Sequence, residues 1–254
     1  MWLRQVALVA HELAPVVGQL EKVFGLKTAF NDPEVGVFGL VNAVMPVGGE
    51  FLEVVQPVKD DASARRYLHR RGGNAGYMLI FEVEDAKAHR ERVLGLGARQ
   101  IAALDKRYVF THFHPGDFGG VLTSIDSVTD VKDWFDRDSD WPPAGPDWRS
   151  ARSANAQGIL GASVQTKTPA ALAARWGELL DVKVEEGAHG AELRLARGHV
   201  RFVEPVDENG TGIVGLDLAM ADPAAALAEA KKLRLPVTGN AVDICGTRFS
   251  LYAA

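Results

Sequence analysis

The stretch Phe51-Leu52-Glu53-Val54-Val55-Gln56-Pro57-Val58 is answered later in the chain by His199-Val200-Arg201-Phe202-Val203-Glu204-Pro205-Val206. A second echo sets Leu20-Glu21-Lys22-Val23-Phe24-Gly25-Leu26-Lys27 beside Trp176-Gly177-Glu178-Leu179-Leu180-Asp181-Val182-Lys183. Each match is weak in identity, but the order of elements around them repeats too, and a repeat governs the whole reading of a fold.

Outward from the first stretch, residues 1–10 read as a strand. Residues 14–24 follow as a helix, with Leu13, Val16, Val17, Leu20, Val23 and Phe24 at helical spacing and a stop at Gly25. Residues 27–30, 35–44 and 50–55 read as three strands, punctuated by Asp32-Pro33 and Gly48-Gly49. The β-α-β-β-β order returns as a strand at 76–83, a helix at 85–96 with Asp85 as its N-cap, and strands near 99–104, 108–114 and 120–125. It returns again at 158–166, 169–180 with Thr168 at the cap, 182–186, 191–196 and 199–204. A fourth copy opens at 212–220, continues as a helix at 223–233 and ends in short strands.

The expected fold class is α+β, with four tandem βαβββ units arranged as two cupped half-barrels of mixed sheet. The expected organisation is residues 1–126, a connector at 127–154, and residues 155–254. The connector is acidic and carries Pro142, Pro143, Pro146, Trp134, Trp141 and Trp148. Its prolines forbid one continuous helix. Its tryptophans are expected to pin it onto a half-barrel, or to close one end of a pocket.

The 254 residues are 47% apolar and 24% charged, which suits a soluble globular chain with a substantial core. Net charge is −5, and Arg65-Arg66 and Arg70-Arg71 are the main basic pairs. They flank a short helical stretch and read as a solvated face, so no nucleic-acid partner is expected. Cys245 is the single cysteine; it excludes an internal disulfide, fits a reducing cytoplasm and reads as a small buried hydrophobe in a strand-like run. Residues 6–10 are too short for a signal-peptide core, and no apolar run reaches the ~20 residues of a membrane helix.

Strand parity locates a cavity, because side chains alternate faces. Val6, Leu8 and Ala10 oppose Gln5, Ala7 and Val9; Leu52 and Val54 oppose Phe51, Glu53 and Val55. Leu79, Phe81 and Val83 oppose Met78, Ile80 and Glu82; Val121, Thr123 and Ile125 oppose Leu122, Ser124 and Asp126. If the first set of each packs under helices, the second lines a greasy cup with few polar groups, the usual form of a small-molecule site.

Three phrases resemble the vicinal oxygen chelate superfamily of glyoxalases, methylmalonyl-CoA epimerases, bleomycin-resistance proteins and extradiol dioxygenases. They are Gln5-Val6-Ala7-Leu8-Val9-Ala10-His11-Glu12-Leu13, Gly49-Glu50-Phe51-Leu52-Glu53-Val54-Val55-Gln56-Pro57, and His114-Pro115-Gly116-Asp117-Phe118-Gly119-Gly120-Val121-Leu122. The resemblance implies two units per half around a cavity in an eight-stranded sheet. It also implies a metal site with one ligand from each of four strands, at the positions of Gln5, Glu53, Met78 and Ser124. Met78 is a soft thioether and Ser124 a weak neutral ligand, both ill suited to a hard ion. The expectation is therefore no metal. The alternative is a divalent ion (Zn, Mn, Ni or Fe) on Gln5, Glu53, His112 and His114, the two histidines being two apart on one strand face. His11 and His69 look like helix-edge residues, His89 sits in a helical run, and His189 and His199 are placed in loops.

Glu53 is the candidate catalytic residue, because a carboxylate facing an apolar cup is desolvated and becomes a usable base. Gln5, Met78, Ser124, Tyr77 and Tyr108 are candidate ligand contacts. In the second half the matching positions are Gly161, Arg201, Gly215 and Arg248 or Ser250, and Arg201 could hold a carboxylate. The resemblance implies a small-molecule enzyme of lyase or isomerase type, acting on an oxo-acid, thioester or aldehyde adduct. A non-catalytic binding protein of the bleomycin-resistance kind and a metal-dependent dioxygenase stay open. The expected partner is a small molecule, with the chain a pseudo-dimeric monomer or a homodimer and no membrane association.

Overall fold

Strand β1 (Trp2–Val9) is buried along its whole length, and its alternation is what layers the fold. Val6 and Leu8 join a core under the helices, while Ala7 and Val9 join a second apolar cluster on the opposite face. The structure, a computed structural model, describes residues 1–187 and 190–254. His189 lies outside the described residues.

After β1 come α1 (Leu13–Phe24), β2 (Leu40–Val47), β3 (Glu50–Pro57), α2 (Ser63–Arg71), β4 (Ala75–Glu82), α3 (Ala86–Gly95), β5 (Gln100–Asp105), β6 (Tyr108–Phe113) and β7 (Leu122–Val128). These seven strands form one sheet in the order β2-β3-β1-β4-β7-β6-β5. The second half supplies β8 (Ala156–Gln165), α4 (Pro169–Leu180), β9 (Val184–Gly187), β10 (Gly190–Arg194), β11 (His199–Val203), β12 (Gly212–Met220), α5 (Pro223–Lys232), β13 (Val237–Thr238), β14 (Ala241–Ile244) and β15 (Thr247–Ala253). Its eight strands run β13-β14-β15-β12-β8-β11-β10-β9, the same plan. In each sheet, two βαβββ units meet through their first strands, β1 antiparallel to β4 and β12 antiparallel to β8. The fold is thus the expected mixed α+β arrangement, with open sheets of seven and eight strands.

The sheets lie back to back. β4 touches β12, and the helices pair across the junction, α1 with α5 and α3 with α4. Gly76 permits the contact, since a Cβ there would fall 2.5 Å from Ile213 Cβ. One continuous core results, and Trp176 of α4 packs edge-on against Phe81, Phe118 and Phe202 from both halves. Arg71, the last residue of α2, donates to the carbonyls of Asn209 (2.8 Å) and Gly210 (2.6 Å), a second bond between the halves.

Four local expectations are corrected. The first sheet lacks its eighth strand, because residues 27–30 contribute a single bridge, Phe30 to Val44. Residues 35–38 belong to a 3-10 helix, Pro33–Phe38, started by the Asp32 carboxylate accepting from Glu34 N and ended by Gly39 in the left-handed region. Cys245 is buried as expected but sits in the turn of the β14–β15 hairpin. It and Gly246 both have positive φ, as a tight primed turn requires. His199 opens β11 and is not in a loop. Among the described residues, no helix is long and apolar enough to cross a membrane.

Candidate active site

The concave face of the first sheet encloses a cavity of about 640 Å³. Its walls are mostly apolar, with Ala7, Val55, Met78, Ile80 and Leu122 from the strands. A bulge in β4 shapes the floor. Ala7 pairs with Met78 but Leu8 pairs with Gly76, and the extra residue, Tyr77, turns into the cavity beside Met78. The rim is formed by the 3-10 helix and by edge strand β5, where Val37, Phe38 and Ile101 are exposed. Phe38 packs on the His112 ring at a tilt, with ring centroids 5.6 Å apart.

Glu53 is the buried carboxylate of this cavity, 6% exposed. Gln5 Nε2 donates to its Oε2 at 2.9 Å, and Asn42 Nδ2 donates to its Oε1 at 2.6 Å. Gln5 Oε1 in turn accepts from Trp141 Nε1 at 2.6 Å, and Asn42 Oδ1 accepts from Asp32 N at 2.8 Å. Burial pushes the Glu53 carboxyl above its ordinary value; the two amide donors oppose the shift and nearby Asp32 adds to it.

The connector closes this cavity at one end. Trp141 and Trp148 are fully buried in the concave apolar cluster, packed on Phe51 at 6.2 Å and 4.9 Å. Pro143 lines the cavity itself. Trp134 is only half-buried and meets Phe135 edge-on.

A second polar set lies beside the first. The Tyr108 hydroxyl, at the cavity wall, donates to Asp126, and Ser124 donates to the same carboxyl. Burial raises the Asp126 carboxyl to about 7, against those two hydrogen bonds, and raises Tyr108 well above its ordinary value. Asp126 pairs along the sheet with Glu82, which burial lifts to about 8 although Arg4 Nε stands 3.2 Å away.

The sequence candidates separate cleanly. Gln5, Glu53, Tyr77, Met78, Tyr108 and His112 all line the cavity. Ser124 does not; it is fully buried behind Asp126. His114 is also elsewhere, because its Nδ1 accepts from Gly116 N as the cap of the Pro115–Phe118 turn and faces Arg99. The proline after it ends the strand, so the shared face expected of His112 and His114 is lost. Arg201 belongs to the other sheet, where it bonds Asp217 at 3.2 Å and Ser163 at 3.3 Å. There the absent side chain of Gly161 makes room for the His199 ring.

The four positions that the superfamily's metal site would use do not fit a cation. Gln5 has its oxygen covered by an indole N–H, both Glu53 oxygens receive amide N–H groups, Ser124 is turned to Asp126, and Met78 is a thioether. Among the described residues, no group of three or more His, Cys, Asp or Glu side chains is spaced to share an ion.

Asn42 and Asp126 were missed as site residues. Asn42 is the polar interruption in Leu40-Val41-Asn42-Ala43-Val44, and Asp126 follows Ser124 on the same strand face; both signals were present.

No family model matches the chain. Over 135 residues it is 26% identical to an ethylmalonyl-CoA/methylmalonyl-CoA epimerase from Cereibacter sphaeroides, covering 50% of this chain and 97% of the relative. A structure of methylmalonyl-CoA epimerase from Streptomyces coelicolor, with 2-nitronate-propionyl-CoA, matches at a TM-score of 0.47 and 18% identity, covering 52% of this chain and 98% of that one. A mutant of 4-hydroxymandelate synthase from Streptomyces coelicolor matches at a TM-score of 0.65 and 19% identity, covering 92% of this chain and 75% of that one. These neighbours are members of the vicinal oxygen chelate (glyoxalase/dioxygenase) superfamily, and this chain has that superfamily's fold over nearly its whole length.

Proposed function

We propose that the chain is a small-molecule enzyme of the isomerase or lyase type, in which Glu53 removes a proton from a carbon next to a substrate carbonyl. The observation that carries this reading is one buried carboxylate, held by two amide donors in the wall of a large apolar cavity. Desolvation makes it a stronger base than a carboxylate in water. The electron pair left on carbon passes to the carbonyl oxygen, and the reaction completes when a proton returns or a leaving group departs. Tyr77 is the hydroxyl proposed to hydrogen-bond the ligand; Tyr108, whose O–H goes to Asp126, is left to accept from it.

The cavity mouth favours an anionic or anion-tailed substrate. Ser63, which lines the cavity, begins α2, and Arg66 and Arg70 follow on the same helical face. Both are exposed, and neither has a carboxylate partner among the described residues, whereas Arg65 pairs with Asp60. The relative from Cereibacter sphaeroides is named for two such substrates, both CoA thioesters.

Incubating the protein in D₂O with methylmalonyl-CoA, ethylmalonyl-CoA and a set of 2-oxo acids tests the reading. Deuterium uptake beside the carbonyl is expected for one of them, and Glu53→Gln should slow it by roughly 10²–10⁴-fold. Uptake that Glu53→Gln leaves unchanged removes Glu53 as the base. No uptake from the set, together with a small molecule retained through native mass spectrometry, favours a binding protein instead.

A further inference from the structure

We infer that Trp141 of the connector seals the Glu53 site against cations. By donating to Gln5 it turns that amide so that N–H groups occupy the carboxylate, and Glu53 is left to meet an organic ligand.

The chemistry of the donors fixes how both amides are turned. An indole N–H can donate but never accept. The Gln5 atom 2.6 Å from Trp141 Nε1 is therefore its oxygen, which obliges its NH₂ to face Glu53 Oε2. A second arm works the same way. The backbone N–H of Asp32 is also donor-only, so Asn42 turns its oxygen to Asp32 and its NH₂ to Glu53 Oε1. Both amides are oriented from outside, and both deliver N–H groups to the same carboxylate.

A hard divalent cation requires converging oxygen lone pairs. Here the Gln5 oxygen is turned to the indole, which takes one of its lone pairs, while its NH₂ faces Glu53. Flipping Gln5 to bring the oxygen to Glu53 would set its NH₂ against the indole N–H and leave that donor buried without an acceptor. Trp141 itself has little freedom to withdraw. It is 1% exposed, stacks on Phe51 at an interplanar angle of 11°, meets Tyr108 edge-on at 5.6 Å, and has the Arg4 guanidinium 5.5 Å from its ring. Pro142 and Pro143 directly follow it and fix the backbone in a 3-10 turn. The connector thus contributes a positioning residue to a carboxylate carried by the first sheet.

The consequence for Glu53 rests on the proton-transfer reading above; the seal itself does not. The test therefore reads the indole and not turnover. Full-length protein is stripped with chelator and titrated with Mn²⁺, with uptake followed by calorimetry and the five indole N–H signals by nuclear magnetic resonance. Trp141→Phe, which keeps an aromatic ring on Phe51, assigns the Trp141 signal. No stoichiometric uptake and an unbroadened, slowly exchanging Trp141 proton are expected. One ion bound per chain, lost in Glu53→Ala and broadening the Trp141 signal, overturns the inference. Gln5→Met serves if Trp141→Phe does not fold, since it removes the acceptor while the indole stays in place. It should shift the Trp141 signal alone and speed its exchange at least tenfold; an indole signal indifferent to Gln5→Met also overturns the seal.

Discussion

Asn42 Nδ2 stands 2.6 Å from Glu53 Oε1, one strand away, with its own oxygen held by the amide of Asp32. Asn42→Leu deletes this donor and leaves a buried carboxylate oxygen without a partner. Urea denaturation at neutral pH should show a loss of about 1–3 kcal/mol, the usual cost of such a group. Below the carboxylate range the same variant should recover most of the loss, because a protonated Glu53 no longer depends on two donors.

Stability and proton abstraction should respond to pH with opposite signs. Burial raises the folded-state values of Glu53, of Asp126 to about 7 and of Glu82 to about 8, from ordinary values of 3.8 for Asp126 and 4.5 for the two glutamates. A raised folded value means the folded chain holds protons that the unfolded chain releases. The stability these groups contribute is complete below their ordinary values and is lost as pH rises through the folded ones. Thermal denaturation between pH 4 and pH 9 should show this decline, and Asp126→Asn should flatten the part that ends near pH 7. A base must be ionised, so any rate that depends on Glu53 should climb with pH, with a midpoint above the usual glutamate range.

Trp176 should tie the halves into one cooperative unit. Its ring meets Phe81 and Phe118 of the first half and Phe202 of the second, and its N–H donates to Phe118 O at 3.2 Å. Trp176→Ala should cost about 3–5 kcal/mol, typical of removing a fully buried indole. Both sheets should still unfold in one transition, followed by far-ultraviolet circular dichroism and by tryptophan fluorescence. Two separated transitions in the native chain would contradict a shared core.

Arg66→Ala and Arg70→Ala should each weaken an anion-tailed ligand two- to fivefold at low salt, within the ~0.2–1 kcal/mol of an exposed charge pair. The effect should fade as salt shortens the screening length to about 8 Å at 0.15 M and below it beyond that. Calorimetry with a CoA thioester and its uncharged pantetheine counterpart checks this; equal losses for both would assign the arginines a packing role.

Strand parity made much of this site readable, because a period of two needs no tertiary information. It placed Gln5, Glu53 and Met78 on one concave face, where the structure has them. Tyr77 reaches the cavity for a different reason, a bulge, and bulges leave no trace in an alternation. Residues 35–38 have strand-like composition, yet the Asp32 cap and Pro33 at the first position start a 3-10 helix that overrides it. His114 lost its strand to the Pro115 turn. The Trp141–Gln5 bond joins residues 136 apart, and no local pattern reports a contact of that span. The connector's tryptophans could be recognised as anchors, but not what they anchor to.

The closing of the first cup by the connector has a consequence for how the molecule is assembled. A nascent chain that has emerged only as far as Val128 has every strand of its first sheet, but the rings of Trp141 and Trp148 that cover Phe51 are still to come. The carboxylate that faces the cavity is therefore finished by a segment made after the sheet that carries it. A chain cut at Val128 lacks both rings that cover Phe51, and one that runs through the Trp148–Ala151 turn contains them.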